Sequence, residues 1–221
     1  MCWRLSSQTF LAGIVLGFGI GLVLGIGWGA SPHDAMIAAI SDLIGTAWIT
    51  PGVVTLSVAA IYLLIAHSVG FHLSFQIPIA ILGISLGVDL GAFVVPTSDT
   101  FFVIASVFTG ALVLKTLSIS WLVESHVGGS SLESLIIALS EKLGVTTLRT
   151  RLAGEFLFLL VALVLAGPVD LGTYLAAILL PTAITLFRKW AFYSGVDRLS
   201  ITRNDSCVPK SRFEGVRTYL R

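Results

Sequence analysis

Six stretches of this chain are long, apolar and nearly free of charge: Phe10–Trp28, Pro51–Ala66, Ile77–Val95, Phe101–Leu117, Leu152–Ala166 and Leu171–Phe187. None carries the charged face that a surface helix of a soluble protein turns to water. Their lengths approach the ~20 residues that cross a hydrocarbon core. Lipid offers no hydrogen bonds, so a spanning segment must satisfy its own backbone, and a helix does so internally. The overall composition agrees: 56% of residues are hydrophobic and 11% charged, against ~25% charged in ordinary soluble domains. The expected fold is an all-α polytopic membrane bundle of six transmembrane helices.

Between the first two runs lies a segment that the chain repeats. Gly29–Gly45 reads GASPHDAMIAAISDLIG, and 99 residues later Gly128–Gly144 reads GGSSLESLIIALSEKLG. Gly29, Ser31, Ile37, Ala39, Ser41 and Gly45 recur unchanged, and the acids Asp34 and Asp42 return as Glu133 and Glu141. Agreement at one offset without a gap is the mark of internal duplication. The chain therefore divides into a first membrane repeat over 1–95, with a short helix at 31–45, and a second over 96–188, with a short helix at 130–144. A basic tail follows over 189–221.

The cations fix the orientation expected of these halves. With Arg4 inside and six spans, Lys142, Arg149 and Arg151 fall in a cytoplasmic connection, and Arg188, Lys189 and the tail lie on the same side. The loops at 29–50, 96–100 and 167–170 contain no Lys or Arg. This positive-inside pattern is expected to place both termini on the cytoplasmic side of the membrane. Three spans per half is an odd number, so the second half enters from the opposite face. Such inverted repeats build many secondary transporters, whose sites lie between the halves near the midplane.

Each short helix has a serine at its start, an acid in its first turn and a glycine at its end, the signals of capping and termination. About thirteen residues make a helix of ~20 Å, too short to cross a core of ~30 Å. It either lies in the interface or dips part-way. Its own carboxylate, Asp34 or Glu133, disfavours an anion at the N-terminus. A neutral or cationic solute, or a proton, is the expected occupant, and simple surface capping by these acids is the bland alternative.

Ionisable groups inside spans are costly and mark function by default. The substrate-path candidates are thus Ser31, Asp34, Asp89, Ser130, Glu133, Arg151 and Glu155. Arg151 and Glu155 share a helix face at i,i+4. Asp89 has no local partner. Lys115, near the inner end of the fourth span, is expected to snorkel to the surface.

Two glycine series, Gly13, Gly17, Gly21 and Gly25, then Gly83, Gly87 and Gly91, recur every four residues. They form small-residue stripes for close helix packing. Gly83-Ile84-Ser85-Leu86-Gly87 matches GxSxG, but it lies within an apolar helical run, and His33, His67, His72 and His126 fall in loops or flanks. A hydrolase elbow needs a strand-to-helix turn and a histidine partner. No enzyme, cofactor, metal site or nucleic-acid partner is expected. Cys2 and Cys207 lie near opposite ends in no ligand spacing.

The GASPHD turn resembles the GxxPxD turns of the YczE/YyaS/YitT-like family of bacterial integral membrane proteins. The second half is also similar to that family's R-x-x-x-E … G-x-x-G-x-G-T … P order, through Arg151, Glu155, Gly167, Gly172, Thr173 and Pro181. Ser131 stands where the family often has proline, and Asp170 and Leu171 replace small residues. The resemblance spans residues 8–188 and implies a fold and a location in the bacterial inner membrane without naming a substrate.

Two functions are open to such a chain. One is a permease for a small molecule, with the acids along a path between the halves. The other is a non-transporting membrane partner or assembly factor, for which the glycine stripes would supply packing surfaces. Either could form a homo-oligomer.

Overall fold

The structure is a computed structural model that describes residues 2–46, 48–71, 74–95, 100–124 and 130–193, with side chains from Leu5 to Phe187 within these limits. The tail expected over 189–221 lies almost wholly outside the described residues. Eight helices follow in order: α1 (Cys2–Gly25), α2 (Pro32–Ile44), α3 (Pro51–Ser68), α4 (Gln76–Val94), α5 (Phe101–Glu124), α6 (Ser131–Leu143), α7 (Thr147–Val164) and α8 (Leu171–Tyr193). No strand occurs among the described residues. The chain is an all-helical membrane protein.

Among the described residues, four segments are long and apolar enough to cross a membrane: Leu5–Gly25, Pro51–Ser68, Gln76–Val94 and Phe101–Val123. The other two expected spans differ in ways the sequence explains. Arg149, Arg151 and Glu155 crowd the first half of α7. The apolar part of α8, Leu171–Phe187, is shorter. That helix continues through Pro181. The fourth span also differs from expectation, since α5 runs on to Glu124. This places Lys115 well inside the helix.

Three of the four helix pairs match in length as well as order: α1 and α5 have 24 residues each, α2 and α6 have 13, and α3 and α7 have 18, whereas α4 has 19 and α8 has 23. The match extends to the caps. Thr50 and Thr146 cap α3 and α7, each accepting from the backbone N–H three residues on. Both helices close with the same bonds, Gly70 N–H to His67 O at 2.9 Å and Ala166 N–H to Leu163 O at 3.1 Å. Gly45 and Gly144 end the short helices in the left-handed conformation, at φ 60° and 64°, which glycine adopts without a Cβ penalty.

The two sets of helices interlock. Helix α2 packs on α7, and α6 packs on α3, so each short helix rests against the other half. Helices α1 and α5 meet at the centre, flanked by α4 and α8. The core between them is aliphatic: Leu16, Ile20, Ile84, Val88, Ile119, Leu122 and Leu180 are buried together. The outward faces are apolar as well. Leu64, Phe93 and Ile178 are 70%, 88% and 66% exposed, an arrangement suited to lipid rather than water.

The glycine stripes meet between α1 and α4. A Cβ on Gly87 would stand 2.8 Å from Phe18 N and 3.0 Å from Gly17 Cα, and one on Gly91 would stand 3.0 Å from Gly21 Cα. Gly13, Gly17 and Gly21 likewise face the backbone of Ala80, Ile84 and Val88. The two backbones touch where any side chain would hold them apart. Gly25 departs from the stripe and faces the Val95 side chain.

Candidate functional site

Both short helices bury their N-terminal turns and expose their C-terminal ends. Pro32, Asp34, Ser131 and Glu133 are buried, whereas Asp42–Gly45 and Glu141–Gly144 are exposed. The buried turns converge on one cavity of about 60 Å³. At ~10–15 Å³ per water, that space holds a handful of waters.

The lining follows the repeat. From α1 and α5 come Leu16 with Lys115 and Ile20 with Ile119, and from the short-helix starts Ser31 with Ser130, His33 with Leu132 and Asp34 with Glu133. Each pair is 99 residues apart. From α3 and α7 come Thr55 with Arg151 and Ala59 with Glu155, and from α4 and α8 Ile84 with Leu180. These pairs are 96 residues apart, because the connection from α6 to α7 is three residues shorter than that from α2 to α3. The scaffold is paired but the charge is not. Lys115, Arg151 and Glu155 stand where the first half has Leu16, Thr55 and Ala59.

Two buried ion pairs anchor the cavity. Lys115 Nζ donates to Asp34 Oδ2 and, at 3.1 Å, to Ser31 Oγ. Ser31 Oγ in turn donates to Asp34 Oδ2 at 2.5 Å, so it serves the carboxylate rather than capping α2. Arg151 pairs with Glu133 and lies 4.0 Å from Glu155. The exposures of Asp34, Lys115, Glu133, Arg151 and Glu155 are all 5% or less. Charges this dry persist only when paired, because desolvating an isolated one costs several kcal/mol (~3–5 when a partner is removed). Burial pushes the Asp34 carboxyl up, but the Lys115 ammonium and His33 more than offset it and hold it below the usual carboxylate range.

The acids of the short helices are therefore not surface caps. Asp34 and Glu133 are the interior halves of ion pairs, and Ser130 Oγ alone makes the cap, accepting from Glu133 N at 3.4 Å. Of the seven path candidates, Ser31, Asp34, Ser130, Glu133, Arg151 and Glu155 line the cavity. Asp89 does not. It accepts from Thr50 Oγ1 at 2.9 Å and from Gly52 N at 3.0 Å, holding the start of α3. Lys115 corrects the snorkelling expectation: it is 2% exposed. A span ending at Leu117 would put the lysine near its end, but α5 continues to Glu124.

Sequence reasoning also passed over His33 and Tyr62. His33 sits in the first turn of α2 with Nδ1 3.4 Å from Asp34 Oδ1, and its ring packs between Tyr62 and Phe158. Four buried polar atoms of the lining have no hydrogen-bond partner: His33 Nε2, Tyr62 Oη, Arg151 Nε and Glu155 Oε2. Buried polar groups are ordinarily satisfied. The four gather at one cavity. Among the described residues, no group of His, Cys, Asp and Glu is arranged to hold a metal ion.

Residues 7–189 match a Family of unknown function (DUF6198), and the chain belongs to that family. No curated protein and no solved structure gives a significant match.

Proposed function

We propose that this DUF6198 protein is a small-molecule permease whose two halves are inverted three-span repeats and whose solute site is the cavity between the N-terminal turns of α2 and α6. The observation that carries the reading is the set of four unpartnered buried polar atoms around that cavity. Buried polar groups are ordinarily met, and four at one cavity favour an occupant that can meet them. Two broken-off helices pointing into a central space from matched positions is the arrangement by which transporters bring backbone and side-chain polarity to the midplane. In this reading α7 and α8 complete six spans, both termini lie in the cytoplasm of a bacterial cell, and the YczE/YyaS/YitT-like proteins are structural relatives.

The test compares metabolites inside and outside cells lacking the protein, cells restored with it, and cells carrying Glu155→Gln. A compound that shifts compartment on deletion, returns on restoration and fails to return with Glu155→Gln supports transport and names the cargo. Unchanged profiles alongside a persisting phenotype and a co-purifying protein would favour a membrane assembly role instead.

A further inference from the structure

The ion pairs of the cavity leave a remainder. Asp34 is matched by Lys115 and Glu133 by Arg151, whereas Glu155 has only a distant share of that arginine. Three carboxylates face two fixed cations. Glu155 Oε2 is unpartnered in a side chain that is 5% exposed. The groups around it are Arg151 on its own helix, His33 and Asp34 from α2, Tyr62 from α3, Lys115 from α5 and Glu133 from α6, with α8 adding only Leu180 to the lining. A net negative charge in so dry a place calls for one more positive charge.

The unpartnered atoms say what kind. In its neutral form, with Nδ1–H directed at Asp34 3.4 Å away, His33 presents Nε2 as an acceptor. Tyr62 Oη and Glu155 Oε2 can accept as well, so three of the four unpartnered atoms can take a donor, while the fourth, the donor Arg151 Nε, faces Glu155 Oε1 at 4.0 Å. The remaining lining is an apolar wall of Leu16, Ile20, Ile81, Ile84, Ile119 and Leu180. We infer that the cavity binds a primary alkylammonium, with its three N–H donors on these acceptors, its alkyl body on the aliphatic wall and Glu155 as its counter-ion. In the empty cavity a proton on Glu155 supplies the missing positive charge. Ammonium and proton therefore exclude each other: as the cation enters, the Glu155 O–H bond breaks and its proton passes to water. This deepens the permease reading and rests on it for the consequence that the cation moves in exchange for a proton.

The test uses the purified full chain in detergent, titrated with n-butylammonium in weakly buffered solution containing a pH indicator. Saturation should release about one proton per chain, and affinity should strengthen about tenfold per unit of rising pH while Glu155 is protonated. Tetramethylammonium, with the same charge and no N–H donor, should bind at least about tenfold more weakly. Glu155→Gln should abolish binding and proton release, Glu155→Asp should keep both, and His33→Gln should weaken binding without removing the release. Both Glu155 variants are checked for a monodisperse, folded state, and Glu155→Asp decides the matter if Glu155→Gln fails to fold. Absence of saturable binding, binding without proton release, loss of exchange in a folded Glu155→Asp, or release that follows His33 instead of Glu155 would overturn the inference. Flux separates it from the permease reading. Proton-linked binding without butylammonium uptake by proteoliposomes under a pH gradient would sink transport and leave the site standing. Uptake without proton release would do the reverse.

Discussion

Lys115 and Asp34, 81 residues apart in the chain, form an ion pair in which both side chains are almost wholly removed from solvent. The pair ties the middle of α5 to the start of α2 and so joins the two halves at the cavity. It is a joint between repeats as much as a charge balance.

Removing one partner strands the other. Lys115→Met should lower stability by about 3–5 kcal/mol, because it leaves Asp34 buried without its cation. Asp34→Asn together with Lys115→Met should recover much of that loss, since an uncharged pair of similar volume is tolerated. Unfolding of the three variants in detergent gives the coupling energy. Additive losses would show that the two groups do not depend on each other.

The same pair carries an acid limb. Asp34 titrates lower in the folded protein than its ordinary value of 3.8. Its contribution is therefore full above that value and is lost as the pH falls toward the folded one. The stability advantage of the native protein over the doubly neutral variant should hold at neutral pH and shrink below ~pH 4. Melting curves across that range give the comparison, and a constant gap would place the carboxylate elsewhere.

Close approach of α1 and α4 makes its own prediction. Alanine is the better helix former by about 1 kcal/mol, but a Cβ on Gly17 would meet the backbone of Ile84 and Val88. Backbone cannot step aside as a side chain can, so Gly17→Ala should destabilise by about 1–3 kcal/mol. Gly110 on α5 has nothing within 4 Å of a new Cβ. Gly110→Ala should be neutral or slightly stabilising, and equal effects at the two positions would argue against the stripe.

Asp89 separates structure from transport. It accepts from Gly52 N and Thr50 Oγ1 at the start of α3, so Asp89→Ala should cost about 1–2 kcal/mol, the scale of a lost cap. Cation binding measured on the folded variant should be unchanged. A variant of normal stability that had lost binding would return Asp89 to the solute path.

Much of this was legible in the residues. The 99-residue repeat located both short helices, because caps and glycine stops are local signals that survive duplication. Arg151 and Glu155 were legible as a pair because helical spacing alone puts them on one face. Lys115 was not, since its partner lies in another helix and no local pattern connects them. What could have found it is the cost of any lysine within an apolar run, had the run been carried on to Glu124. Asp89 was misplaced for the converse reason: its partners, Thr50 and Gly52, lie in the preceding helix start, beyond the reach of local spacing. The correspondence of α3 with α7 is hidden in the sequence because it runs at an offset of 96, and Thr55 and Ala59 share no chemistry with Arg151 and Glu155.

In the proposed inverted arrangement, α2 and α6 reach one cavity from opposite faces of the membrane. Their exposed ends offer the most direct measurement: single cysteines introduced as Asp42→Cys and Glu141→Cys, with Cys2 and Cys207 replaced, and an impermeant thiol reagent applied to intact cells. With that arrangement, position 42 reacts from outside and position 141 only after the membrane is opened. Reaction of both positions from the same side would contradict it.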